Sequence, residues 1–330
     1  MSGRDLEDFV EACRARRGTE VAGELKDATA AFLAETANRP TLLRQAADLL
    51  GGLPPAGAAW LALTLGTSIE RGSDVELTAP PLLAYFRNQL ALFPDTPPDD
   101  SPDPVPDASA EQAALIEVFP AICQAVVAHL ARAPERREAL AHDQALLDRL
   151  EELQYFGWGA TWVREALLKS SGTLVALHPP TGVGVRLRYV NVSNCFHLFS
   201  LVQTAIGHRI SGGRTPNPTV AAAARAEIHE PVNDQAWWHY GDPRSRQPDL
   251  SASIWGEGLV RDIPSVEGVQ TVLLWPPLLQ SRGWDSGFFG PQLAAMPPDV
   301  TLEHVLSRDA SRSLLQRLGL DGLRKGWRIW

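Results

Sequence analysis

Cysteine is scarce in this 330-residue chain: Cys13, Cys123 and Cys195 are far apart and form no C-x-x-C pair. That excludes a disulfide framework and a structural zinc site of ordinary spacing. No G-x-x-x-x-G-K-[ST] loop is present, and Gly157-Trp158-Gly159 and Gly182-Val183-Gly184 are too short for a dinucleotide fingerprint. A G-x-S-x-G elbow and the kinase signatures are also missing. Positive charge is in deficit, with 30 Lys and Arg against 39 Asp and Glu, a net charge of −9. Nucleic acid is therefore not expected as the main ligand, because phosphate binding needs surplus cations.

Long apolar runs do not stand out, so membrane insertion is not expected. The opening segment mixes acids and bases where a secretory signal would carry an apolar core, which predicts a cytoplasmic location. The Asn191-Val192-Ser193 sequon carries no weight in that compartment. Little lysine beside abundant Ala, Pro and Arg fits a bacterial chain of high-GC origin.

What the chain does have is a strand pair running into a well-marked helix. Residues 174–178 and 183–190 alternate around the Pro179-Pro180-Thr181-Gly182 turn, which predicts a hairpin. Ser193 or Asn194 can cap the helix that follows, whose stripe is Cys195, Leu198, Phe199, Val202 and Ala205 or Ile206, with Gly207 at its end. His197, Ser200, Thr204 and His208 form a polar stripe expected to face solvent or a cleft. Cys195 and His197 lie about 200° apart around a helix axis and so cannot form a dyad. A nucleophilic Cys195 would need a histidine from elsewhere, with His178, His229 and His239 as the candidates.

Before this stretch the sequence reads as helices: 1–93, then 108–131 and 135–153. The run 94–108, rich in proline and aspartate, is the best candidate boundary, although a surface loop inside one helical domain fits it too. The implied organisation is a helical domain at 1–93, an acidic linker at 94–108, a helical segment at 109–170 packing on the C-terminal region, and a tryptophan-rich mixed domain at 171–330. Nine of ten tryptophans fall from Trp158 onward. Segments 251–255 and 269–274 read as strands, the latter buried on both faces; 301–306 and 311–318 read as helices. The fold class is α+β, an all-helical N-terminal region followed by a mixed, mainly antiparallel one.

Two further groups carry candidate chemistry. His229, Asp234 and His239 have metal-ligand character but no helical ligand spacing. Trp237, Trp238, Arg282, Trp284 and Asp285 are candidates for binding. The sequence favours a non-enzymatic binding protein with a protein partner and no cofactor. The alternatives are a Cys195-based hydrolase or transferase and a metal enzyme around His229 and His239.

Overall fold

The computed structural model describes residues 4–18, 22–94, 108–213, 216–228, 232–235, 238–279 and 283–320. The chain divides into two compact units, Met1–Leu167 and Leu168–Trp330.

The first unit is helical: α1 (Arg4–Ala15), α2 (Gly23–Asn38), α3 (Thr41–Ala47), α4 (Pro55–Glu70), α5 (Ala79–Leu90), α6 (Ala110–Arg132), α7 (Pro134–Ala141), α8 (Gln144–Glu152) and α9 (Trp158–Leu168). Proline in the first turn starts α4, α5 and α7, where its missing N–H costs nothing. The segment read as one helix at 135–153 is broken at Asp143, whose carboxylate accepts from the Leu146 amide and starts α8. Helix α4 is buried on nearly every side, as its composition predicts. Its partner α6 opens on a capping box between Ser109 and Gln112. At Gly66 the two helices approach so closely that a Cβ there would sit 3.2 Å from the Cα of Ala125.

Helix α6 packs on helices of the first unit. Phe119 stacks on Phe86 of α5 at 5.9 Å and meets Phe93 edge-on at 4.6 Å, while the Gln112 side chain donates to the Leu92 carbonyl at 3.0 Å. The acidic Pro/Asp run therefore joins two helices that pack together. It lies almost wholly outside the described residues. By length and composition α6 is also apolar enough to cross a membrane, contrary to the sequence expectation, and 61% of that stretch is buried in the fold.

The second unit is the mixed one. It contains β1 (Ser170–His178), β2 (Val183–Val192), α10 (Cys195–Ile206), α11 (Pro218–Ala224), β3 (Asn233–Gln235), β4 (His239–Gly241), β5 (Ser265–Val266), β6 (Val269–Trp275), β7 (Gly283–Asp285), β8 (Asp299–Val305) and α12 (Arg308–Arg317). The main sheet runs β4-β6-β1-β2-β8, with β5 attached to β6, and β3 pairs with β7 separately. The β1–β2 hairpin forms where alternation places it. Strand β6 pairs with β1 in parallel, the one parallel pair in a sheet otherwise antiparallel.

One face of the sheet places Leu174, Ala176, Leu187 and Val272 against Leu198, Phe199 and Val202 of α10. The other places Val175, Leu177, Leu273 and Trp275 against Leu315 of α12. Covering on both sides explains the continuous apolar run of β6. Residues 301–305 of the stretch 301–306, read as helix, belong to β8, and 251–255, read as strand, contain only part of the 3-10 turn Leu250–Ala252 and an isolated bridge at Ser253.

Candidate functional site

Cys195 opens α10 as expected, with the Asn194 side chain accepting from the His197 amide at 2.9 Å. Its own amide donates to the Gly258 carbonyl at 2.9 Å, which locks the helix start under the 256–258 loop. The sulfur is fully buried there. Burial pushes the thiol up to about 12, and the carboxylates of Asp262 and Glu257 push in the same direction. A helix N-terminus favours thiolate, but here desolvation and negative neighbours prevail. Cys195 is a neutral core thiol at physiological pH.

Two of the imidazoles proposed as its base occupy other surroundings. His178 ends β1, its Nδ1 is 2.7 Å from Thr181 Oγ1, and its ring meets Trp238 edge-on at 5.0 Å. Burial lowers it to about 4. His239 is buried in β4, with Ser253 Oγ 3.5 Å from Nδ1 and 3.4 Å from Nε2. At 3.4–3.5 Å from both ring nitrogens the oxygen makes no short hydrogen bond to either, so Ser253 is not held as an activated nucleophile. His197, next along α10, is stacked on Phe289 at 4.7 Å, and its Nε2 donates to the Ala224 carbonyl. The first half of the polar stripe of α10 is thus inside the protein, with His197 and Ser200 buried, while Thr204 is half-buried and His208 is exposed. The helix tolerates this because Ser200 and Thr204 donate back to the carbonyls of Phe196 and Ser200, at 3.0 and 2.9 Å.

All three thiols are buried, and burial raises each of them. Iodoacetamide is therefore expected to leave Cys13, Cys123 and Cys195 unmodified in native protein and to label them on unfolding, as read by mass spectrometry. Rapid native labelling of Cys195 would contradict the buried placement.

Of the other sequence candidates, Trp237, Arg282 and His229 lie outside the described residues, as do the side chains of Asp234 and Trp284. The backbones of Asp234 and Trp284 pair across β3 and β7. Trp238 is a core residue, 3% exposed, and so is not at a surface. Asp285 uses its carboxylate to accept from the Gly287 amide at 2.8 Å. Among the described residues no three His, Cys, Asp or Glu side chains converge as metal ligands.

The surface feature that site reasoning passed over lies in the first unit. After α8, a 3-10 turn at Leu153–Phe156 leads through Gly157, at φ 133°, into Trp158 at the start of α9. Only glycine adopts that φ readily. Gly159 is equally constrained, since a Cβ there would lie 3.0 Å from the Pro120 Cα and 3.1 Å from the Cys123 sulfur. Between these two fixed points Trp158 is 73% exposed, and Tyr155, in the turn before them, is 38% exposed. Behind them runs a chain of rings: Tyr155 to Phe156 at 5.3 Å, Phe156 to Phe93 at 5.4 Å, and Phe93 to Phe119 at 4.6 Å. Tyr155 is therefore backed by packed rings, while Trp158 is positioned by the backbone constraints at Gly157 and Gly159. A cavity of about 240 Å³ in the same unit, bordered by Pro55, Gln89, Leu92 and Gln112, is below the range of ligand pockets, about 300–1,000 Å³.

No family model, curated protein or solved structure matches the chain.

Proposed function

We propose that the chain is a binding protein that engages a protein partner through the aromatic corner at Tyr155 and Trp158. The observation that carries this reading is the exposure of Trp158, 73%, beside the half-exposed Tyr155, whose ring meets Phe156 edge-on at 5.3 Å. A buried tryptophan removes roughly 150–250 Å² of mainly apolar surface from water, and at about 25 cal/mol per Å² this makes it a strong contact residue. Tryptophan and tyrosine lose few rotamers on docking, which is why they anchor interfaces. Support over chemistry at Cys195 comes from the neutral, buried state of that thiol.

The test is capture from the native host by the purified chain. Trp158→Ala is expected to change folding stability by no more than about 0.5 kcal/mol, the range for exposed positions. It is expected to weaken partner retention by about 30-fold, the loss typical of an anchoring tryptophan. Trp255→Ala, at an exposed tryptophan of the second unit, serves as the control that retains the partner. Equal retention by Trp158→Ala and wild type would overturn the assignment.

A further inference from the structure

The negative charge of this chain is not shared evenly. Residues 1–167 hold nearly twice as many acidic as basic residues, whereas residues 168–330 hold a small excess of basic ones. The net charge of −9 therefore comes from the unit that carries Tyr155 and Trp158.

Part of that charge lines the aromatic corner. Asp148, Glu151, Glu152 and Tyr155 recur at three- and four-residue spacing through α8 and the turn after it, and all four are exposed, so they form one stripe. Glu151 pairs with Arg164 at 3.1 Å and Glu152 with Arg149 at 2.9 Å. In both pairs the carboxylate is the outer partner, 63% exposed against 31% and 55% against 23%. The Arg149 guanidinium is held from within, donating to the Leu90 and Phe93 carbonyls. Asp148 accepts from the uncharged Gln144 amide at 2.6 Å. Glu117, exposed on α6, precedes Pro120 by about one turn, and a Cβ on Gly159, the neighbour of Trp158, would lie 3.0 Å from the Pro120 Cα. Among the described residues neither Asp148 nor Glu117 is in an ion pair.

We propose that the partner docking on Tyr155 and Trp158 presents a basic surface, with one lysine or arginine side chain seated on the Trp158 ring and others meeting the surrounding carboxylates. This rests on the reading of the aromatic corner as the binding site. An exposed indole face attracts a cation through its ring quadrupole, and carboxylates around it steer cationic partners toward it. A neutral or acidic partner gains neither effect.

Fluorescence anisotropy on the full chain tests this with two rhodamine-labelled peptides, one of repeating Leu-Leu-Arg-Arg and one of repeating Leu-Leu-Glu-Glu. The arginine peptide is expected to bind saturably and the glutamate peptide about tenfold more weakly. Trp158→Ala is expected to weaken the arginine peptide about tenfold. Glu117→Lys and Asp148→Lys are each expected to weaken it about three- to fivefold at low salt, an effect that shrinks as salt is raised. Glu24→Lys, at an exposed position of α2, makes the same change in net charge away from the corner and is expected to leave binding unchanged. Equal binding of the two peptides, or equal effects of Glu24→Lys and the two corner reversals, would overturn the basic partner while leaving the corner as a binding site. Binding that Trp158→Ala does not change would remove the corner itself, and the proposal with it.

Discussion

Acidification from pH 7 to pH 5 is expected to cost the fold about 6 kcal/mol, about 2 for each of three buried imidazoles. His129, His178 and His197 are each lowered from 6.5 to about 4, in every case chiefly by burial. Burial in each case favours the neutral ring. His129 Nδ1 donates to the Ala125 carbonyl at 2.7 Å, leaving Nε2 to accept from the Thr78 hydroxyl at 2.8 Å. His197 uses Nε2 on the Ala224 carbonyl, and its Nδ1 is buried without a partner, so a second proton there would have nothing to bond.

In the unfolded chain these rings take up protons near 6.5, while in the fold they stay neutral to about 4. Between those values the unfolded state binds more protons, so stability falls as pH falls and is fully present above the upper value. His129 lies in the first unit and the other two in the second, so the second unit is expected to lose about twice as much as the first. Urea midpoints at pH 7 and pH 5, with unchanged slopes, measure this. A midpoint insensitive to pH over that interval would contradict the burial of these rings.

Gly57→Ala is the substitution expected to damage the first unit most. Ala is the better helix former by about 1 kcal/mol, and on propensity alone the change would stabilise α4. Packing reverses the sign. A Cβ at this position would lie 2.2 Å from the Cys13 carbonyl oxygen and 2.8 Å from its carbon, both backbone atoms of α1 that cannot rotate away. The two helices would have to separate by about 1 Å to restore a normal contact. That separation disturbs the Arg16 guanidinium over the Trp60 ring at 4.9 Å and the packing of Phe9, which is stacked on Phe32 at 4.7 Å. The expected net loss is about 3 kcal/mol. Thermal unfolding of the variant checks it: a midpoint equal to or above wild type would mean that α1 does not approach α4 so closely.

The elements most legible in the sequence are those whose signals are local. The β1–β2 hairpin follows from strict alternation on either side of a Pro-Pro-Thr-Gly turn, and α10 from an Asn cap and a Gly stop. The α+β class follows from the same evidence. Strand β8 was hidden because Leu302, Val305 and Leu306 mimic helical spacing, while its own alternation is disrupted by a register shift where Arg186 meets His304 and Leu187 meets Leu302. The organisation around residues 94–108 was obscured for a different reason. The composition of that run marks it as solvated, but only the aromatic contacts of Phe119 with Phe86 and Phe93 reveal that the helices on either side pack together.

For the candidate site, residue type was a poor guide to accessibility. Cys195, His197 and Trp238 look reactive or adhesive in sequence, yet they are core residues because neighbouring elements close over them. Trp158 lay inside a visible aromatic cluster, but its exposure depends on two glycines whose roles are set by φ at Gly157 and by contact with α6 at Gly159. Neither constraint can be read from the sequence itself.

The central claim is that the Tyr155–Trp158 corner is where a partner binds. A photo-crosslinking amino acid placed at position 158 in cells of the native host tests it most directly, with the same probe at Leu49, another exposed apolar position, as control. The account predicts a discrete, saturable cross-linked species from position 158 that is absent from position 49. Indistinguishable cross-linking from the two positions would contradict it.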